Sequence, residues 1–175
     1  LARAGFIQEI EFMKTLLLMR HAKSSWKDSS MKDIDRPLTK RGHKNASRMG
    51  EVLKEAGLCP QLILSSPALR ARQTAESVAK KSGYKESIQY YDSLYMAEPD
   101  DYLKKLVKQP DTLERILVIG HNPGLEGLMQ ILSGQVEALP TAAIASITLP
   151  VENWADLTDK TECKLIEIRR PKDLD

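Results

Sequence analysis

The chain has 175 residues, a formal net charge of +2, and 42% hydrophobic against 29% charged residues. These values fit one soluble globular domain with its own core and exclude a disordered chain. So small a net charge argues against nucleic acid or an acidic membrane as partner, and no stretch reaches the length of a transmembrane helix.

Residues 1–12 open the chain with Glu9 and Glu11 interrupting the apolar run that a signal peptide needs. They are expected to form an arm or remnant outside the fold, with residues 13–175 as the domain proper. Lys14 to Met19 is an apolar run that turns abruptly into Arg20, His21 and Ala22, the pattern of a buried parallel strand ending in polar groups. Ligands in open α/β sheets bind just beyond such carboxyl ends, which places Arg20 and His21 where a site is expected. A core strand with a charged end is the competing reading of these residues alone.

Ala22 to Ser30 lacks periodicity and reads as a loop that can wrap a bound anion, with Lys23 and Lys27 either contributing charge or, as is usual for exposed lysines, only solvated. Pro37 holds Arg36 extended, and Thr39 caps a helix predicted over 40–55. Ala46, Met49, Leu53 and Ala56 form its buried face, Gly57 ends it, and His43 lies on its polar side. Leu62 to Ser65 is the second strand. Ser66 and Pro67 lead into a helix over about 68–81, which buries Ala71, Thr74, Ala75 and Val78 and carries Arg70 in its first turn. Arg72 is turned away by roughly 200°.

Ser87 to Tyr91 is strand-like, Leu94 to Pro99 is a loop, and a helix starts at Asp100 and runs to Lys108. Arg115 to Ile119 is the third apolar strand. It ends in Gly120-His121-Asn122-Pro123-Gly124 and is followed by a helix to about Leu132. A histidine at a strand end serves equally well as a structural residue, but two at equivalent ends argue against coincidence. Ala142 to Leu149 is a further strand, Val151 to Glu162 a polar variable loop carrying Trp154, and Lys164 to Arg169 an edge strand. The alternation predicts a single-domain α/β three-layer sandwich: a mostly parallel central sheet, helices on both faces and room for an antiparallel C-terminal addition. Cys59 and Cys163 have no metal-binding spacing and read as thiols of a reducing compartment, hence a cytoplasmic setting.

The strand ends thus collect Arg20, His21, Arg70 and His121, with Arg36 from a loop and no acidic cluster. Arginine forks match phosphate oxygens bidentately. A histidine in that field either donates to the anion or attacks phosphorus.

These residues resemble the histidine phosphatase (phosphoglycerate-mutase-like) superfamily. Arg20-His21-Ala22 is similar to its Arg-His-Gly signature, Ser65 to Ala75 to its second arginine motif, and Gly120-His121-Asn122-Pro123 to its second histidine motif. Arg36-Pro37-Leu38-Thr39 with Gly42, and Thr141 to Leu149, resemble the short SixA-like branch of phosphohistidine phosphatases, which lacks a large cap. The resemblance implies that His21 becomes phosphorylated, that Arg20 and Arg70 clamp the phosphoryl oxygens, and that His121 holds the group from the opposite side. It also implies a less defined contact from Arg36 and no metal or organic cofactor. Larger members carry a proton-donating glutamate after the second arginine motif. Here only Glu98 and Asp100 fall nearby, and either reads as well as a loop acid or helix cap. A missing acid favours an imidazole leaving group over an alkoxide. The expected substrate is a phosphorylated protein such as a histidine-containing phosphotransfer domain. Small-molecule phosphomonoesters, or non-catalytic phosphate binding, are the alternatives.

Overall fold

The computed structural model describes residues 12–174, so the expected N-terminal arm lies, apart from Phe12, outside the described residues. β1 (Lys14–Arg20) forms the centre of the sheet because every residue from Leu16 to Met19 is fully buried. A strand covered on both faces has no position for a polar side chain, which is why its sequence runs apolar without alternation. β4 (Arg115–Gly120) pairs with it in parallel and β5 (Ile144–Leu149) in antiparallel. β2 (Leu62–Ser65) and β3 (Gln89–Tyr90) extend the parallel side, and β6 (Lys164–Arg169) closes the antiparallel side. The order among the described residues is β3-β2-β4-β1-β5-β6. The mostly parallel sheet with an antiparallel C-terminal pair is the architecture expected.

α1 (Lys40–Glu55) and α2 (Leu69–Ser82) pack on one face, where Ala46, Met49, Leu53, Ala71, Ala75 and Val78 meet Leu17 and Met19. α3 (Pro99–Leu106) and α4 (Gly124–Ser133) cover the other, where Tyr102, Leu106, Leu125 and Leu128 meet Leu16 and Leu18. Alternate residues of β1 therefore feed opposite cores, as strand geometry demands. α1 begins where Thr39 Oγ1 accepts the Gly42 N–H at 3.0 Å. A Cβ on Gly42 would run into the Lys23 carbonyl oxygen, so glycine lets the first turn of α1 lie on the segment that follows His21.

The structure departs from the expected elements at several places, among them the end of α3 at Leu106 rather than Lys108 and the start of β5 at Ile144 rather than Ala142. Ala56 is exposed, because it is the C-cap residue just beyond the end of α1, and Val52 is the buried residue of the last turn instead. α3 starts at Pro99 rather than Asp100: Glu98 is its N-cap, and the Glu98 N–H donates to Asp101 Oδ2 at 3.0 Å. The strand expected over 87–91 shrinks to Gln89–Tyr90 at the sheet edge, where among the described residues its one neighbour is β2. The loop carrying Trp154 is not merely variable surface. Trp154 is fully buried, and its Nε1–H donates to the Leu113 carbonyl at 2.8 Å, so the indole seals the α3/α4 core.

Candidate active site

β1 ends at Arg20 and β4 at Gly120, so His21 and His121 are the first residues beyond two neighbouring parallel strands. The register pairs Arg20 with Gly120, and the His21 N–H donates to the Gly120 carbonyl at 3.1 Å. The imidazoles start side by side on one sheet edge and bring their ring centroids to 5.3 Å, with 54° between the planes. Both are buried, at 8% and 2% exposure. The end of β1 is held by Ala142, whose N–H donates to the Arg20 carbonyl at 3.0 Å and to the His21 carbonyl at 3.2 Å. Ala142 does this at a φ of 64°. Left-handed backbone costs a non-glycine residue about 1 kcal/mol, here borne at the edge of the site.

The ring tautomers follow from their partners. His21 Nδ1 lies 2.8 Å from the Ala22 carbonyl oxygen. A carbonyl only accepts, so Nδ1 carries the proton and Nε2 keeps its lone pair. Nε2 has no hydrogen-bond partner among the described residues. His121 Nδ1 faces Arg70 Nη2 at 3.4 Å, and a guanidinium only donates. His121 Nε2–H therefore donates to Ser66 Oγ, 2.7 Å away, which also accepts the Ala68 N–H at 3.2 Å.

Burial pushes the His21 pKa down to about 4, with Arg70, Arg20 and Arg36 acting in the same direction against the Ala22 hydrogen bond. Burial, then His21 and Arg70, push His121 down to about 3. Both rings are neutral at physiological pH. Unfolding restores an ordinary value near 6.5, so the unfolded chain binds protons that the folded chain does not. The stability these sites contribute is complete above about pH 6.5 and is lost as pH falls towards 4 and 3. The thermal midpoint of the wild type should drop more steeply from pH 7 to pH 4 than that of a His21→Asn/His121→Asn variant. Parallel slopes would show that the histidines titrate alike in both states.

α2 organises the remainder of the site. Arg70, Gln73 and Thr74 occupy positions i, i+3 and i+4 and face the same way. Thr74 Oγ1 accepts the Ala22 N–H at 3.0 Å, and Gln73 Oε1 accepts the Leu38 N–H at 2.8 Å. One helix face thus fixes the residue after His21 and the segment that bears Arg36. Arg70 is 2% exposed, and its Nε is buried without a partner among the described residues. Arg20 Nε is in the same condition, and Arg20 Nη1 has only a long 3.5 Å contact with the Leu139 carbonyl. Buried donors without acceptors are costly unless a ligand meets them.

One carboxylate does join the arginines: Asp33, which sits in a short 3-10 turn (Asp33–Asp35). Its carbonyl accepts from Arg70 Nη1 at 2.7 Å. Its Oδ2 accepts from Arg70 Nη2 at 3.0 Å and from the Tyr95 hydroxyl at 2.6 Å, and its Oδ1 from Arg36 Nε at 3.0 Å. Partial burial works to raise its pKa, but Tyr95, Arg70 and Arg36 outweigh it and bring it to about 2. Asp33 is therefore ionised and orients two arginines. Arg36 is buried, reaches Ser24 Oγ at 2.8 Å, and stacks 3.5 Å from the centroid of the exposed Trp26 ring. It joins the site through Asp33 and through its field on His21. Glu98 and Asp100 do not join it: Glu98 is an exposed helix cap, and Asp100 pairs with Lys104 at 2.7 Å. Among the described residues no three His, Cys, Asp or Glu side chains form a group able to hold a metal ion.

The sequence matches the family model of the histidine phosphatase superfamily (branch 1) over residues 16–95. It is 34% identical over 152 residues to an uncharacterized chloroplastic protein of Arabidopsis thaliana, an alignment covering 82% of this chain and 70% of that one. The structure superposes on the protein histidine phosphatase SixA complexed with tungstate with a TM-score of 0.77 and 26% identity, over 92% of this chain and 99% of that one. A protein of Nakamurella multipartitia assigned as phosphohistidine phosphatase SixA shares the fold at a TM-score of 0.80 and 24% identity, over 91% of this chain and 96% of that one.

Proposed function

The chain belongs to the histidine phosphatase superfamily, and on that premise we propose that this phosphatase hydrolyses phosphohistidine in proteins through a phosphorylated His21. The observation that carries the reading is the state of the one carboxylate that, among the described residues, hydrogen-bonds both Arg70 and Arg36: Asp33 is ionised and has no proton to give. An alkoxide leaving group needs a proton in the transition state, and a positioned acid is worth about 10²- to 10⁴-fold there. Imidazole departs more readily because its nitrogen takes a proton from water near neutral pH. A phosphoryl group bound to nitrogen is thus the substrate this site handles without a general acid.

In the first step the lone pair on His21 Nε2 forms a bond to phosphorus while the bond to the substrate nitrogen breaks. The leaving imidazole keeps that electron pair and is protonated by solvent. In the second, water attacks phosphorus, the bond to Nε2 breaks, inorganic phosphate leaves and its proton passes to solvent. The Nδ1–H bond to the Ala22 carbonyl holds the ring in its attacking tautomer throughout. Arg20 and Arg70 have unpartnered Nε–H groups with which to neutralise the equatorial oxygens. His121, 5.3 Å away between centroids, faces the group from the other side. Charge neutralisation is assigned to these cations, so turnover is expected to survive a chelator. The tungstate bound by the SixA relative is a tetrahedral oxyanion of the kind such a cradle fits. The two unpaired cysteines accord with a reducing, cytoplasmic setting.

The position of Asp33 gives phosphomonoesters a second reading: it is bonded to Arg70, so a dianion held there would oppose its negative charge and draw a proton onto it, creating an acid in the complex. The two readings separate by rate. Phosphohistidine and phosphoramidate should be hydrolysed with kcat/KM about 10²-fold or more above glycerol phosphate, the margin a missing acid sets. Equal or faster hydrolysis of the alkyl ester would overturn the proposal.

A further inference from the structure

Beside the site runs a groove that phosphoryl transfer does not use. A cavity of about 250 Å³ is lined by Lys23, Arg41, Arg170 and Lys172 among others, and an adjoining one of about 380 Å³ by Arg41, Lys44, Arg48 and Lys172. Among the described residues no carboxylate lines either cavity. With a net charge of only +2 over the whole chain, six cations along one groove are a local concentration. Arg48 is paired with Glu55 at 3.1 Å, and Arg170 lies 4.0 Å from Glu137. Lys23, Arg41, Lys44 and Lys172 make no ion pair with any described residue. The next cavity along contains Glu55 and Asp173, which marks the end of the basic stretch.

The groove is tied to the catalytic edge by the backbone. Lys23 is two residues beyond His21, and its carbonyl accepts the Thr39 N–H at 2.9 Å at the start of α1. Arg41, Lys44 and Arg48 follow on α1 at i, i+3 and i+7, one stripe about 10 Å long. The opposite wall includes Thr141, the neighbour of Ala142, whose N–H holds the His21 carbonyl. The groove therefore starts at the rim of the site and leads away from it.

A single phosphate would be satisfied by one or two fixed donors. Here the cations are spread along the groove, and Lys23, Arg41, Lys44 and Lys172 are exposed. Such an arrangement suits a chain of negative charges and acts mainly on encounter and orientation. We infer that this groove docks an acidic segment of the phosphorylated partner protein and thereby presents its phosphoryl group to His21. The inference rests on the protein-substrate reading above and adds the surface that selects the partner.

Three substrates test it: free phosphohistidine, a phosphohistidine peptide flanked by glutamates, and the same peptide flanked by glutamines. In low salt the wild type should prefer the glutamate peptide by about 10-fold in kcat/KM, and the preference should vanish near 0.5 M salt, where screening is within a few ångströms. A Lys44→Glu/Lys172→Glu variant should lose the preference and hydrolyse free phosphohistidine at the wild-type rate. Equal use of both peptides by the wild type, or an equal loss on all three substrates in the variant, would overturn the inference. So would inhibition of free-phosphohistidine hydrolysis by inorganic triphosphate that the same substitutions relieve, which marks a small-polyanion site. A fluorescent decaglutamate peptide supplies a reading independent of turnover. Its anisotropy should rise with wild type and not with the variant even if no phosphohistidine compound is hydrolysed, an outcome that would sink the substrate proposal alone. No binding to either protein would sink the docking surface alone.

Discussion

Replacing His21 by alanine is expected to lower turnover by about 10⁴- to 10⁶-fold, the range seen when a covalent nucleophile is removed. The side chain supplies the unprotonated Nε2, and no other neutral ring nitrogen can take its place. His121 Nδ1 is occupied by Arg70, and its Nε2 already carries a proton shared with Ser66. Quenched-flow labelling with a radioactive phosphoramidate should trap a phosphoenzyme that survives alkali and is destroyed by acid in the wild type, and no labelled protein in the variant. The fold should persist. Only the ring and its bond to the Ala22 carbonyl are removed, whereas the backbone bonds from His21 N–H to Gly120 and from Ala142 to the His21 carbonyl remain. Unchanged circular dichroism with retained phosphate binding would assign the loss to chemistry. A variant that still turns over within about 10-fold of wild type would remove His21 from the nucleophile's position.

The parts of this site that were legible in the sequence are those where a local pattern changes abruptly. The runs ending at Arg20-His21 and Gly120-His121 are apolar until the sheet stops, so the first polar residues necessarily lie at its edge. Thr39 and Gly57 bracket α1 because capping is a local matter of one hydroxyl and one positive φ. Asp33 was not legible. It lies in an aperiodic segment 37 residues from Arg70 and 62 from Tyr95, and nothing within a few residues reports those contacts. Trp154 failed for the same reason: a polar loop is an unremarkable setting until the fold closes it over Leu113. Helical spacing puts Thr74 on the inner face of α2, but its bond to the Ala22 N–H requires the packing of α2 against the end of β1. The composition of the α2 segment does carry a usable signal. Arg70, Gln73 and Thr74 are polar at spacings that the apolar face of an ordinary surface helix would fill, and polar groups on a buried face need partners.

Arg70→Lys should be nearly as damaging as Arg70→Ala, and the reason is geometric rather than a matter of charge. The guanidinium uses Nη1 for the Asp33 carbonyl, Nη2 for both the Asp33 carboxylate and His121 Nδ1, and leaves Nε for an oxyanion. A lysine ammonium is a single point with three donors and cannot hold a loop, a carboxylate, an imidazole and a phosphoryl group in one plane. The expected loss in kcat is about 10²- to 10³-fold for either variant, the effect of deleting a donor aimed at developing charge. Removing the arginine also leaves the Asp33 carboxylate with Arg36 and Tyr95 alone. Truncating one partner of a fully buried pair costs about 3–5 kcal/mol. The Asp33 side chain is 42% exposed, so solvent should screen it and reduce that cost to about 1–2 kcal/mol in Arg70→Ala. The carboxylate should in turn titrate above its wild-type value of about 2, because one of the groups holding it down is gone. Carboxyl chemical shifts followed against pH would read that change directly. An Arg70→Lys enzyme with wild-type kcat and an unmoved Asp33 titration would show that charge alone suffices. The second arginine would then be a background field rather than a shaped clamp.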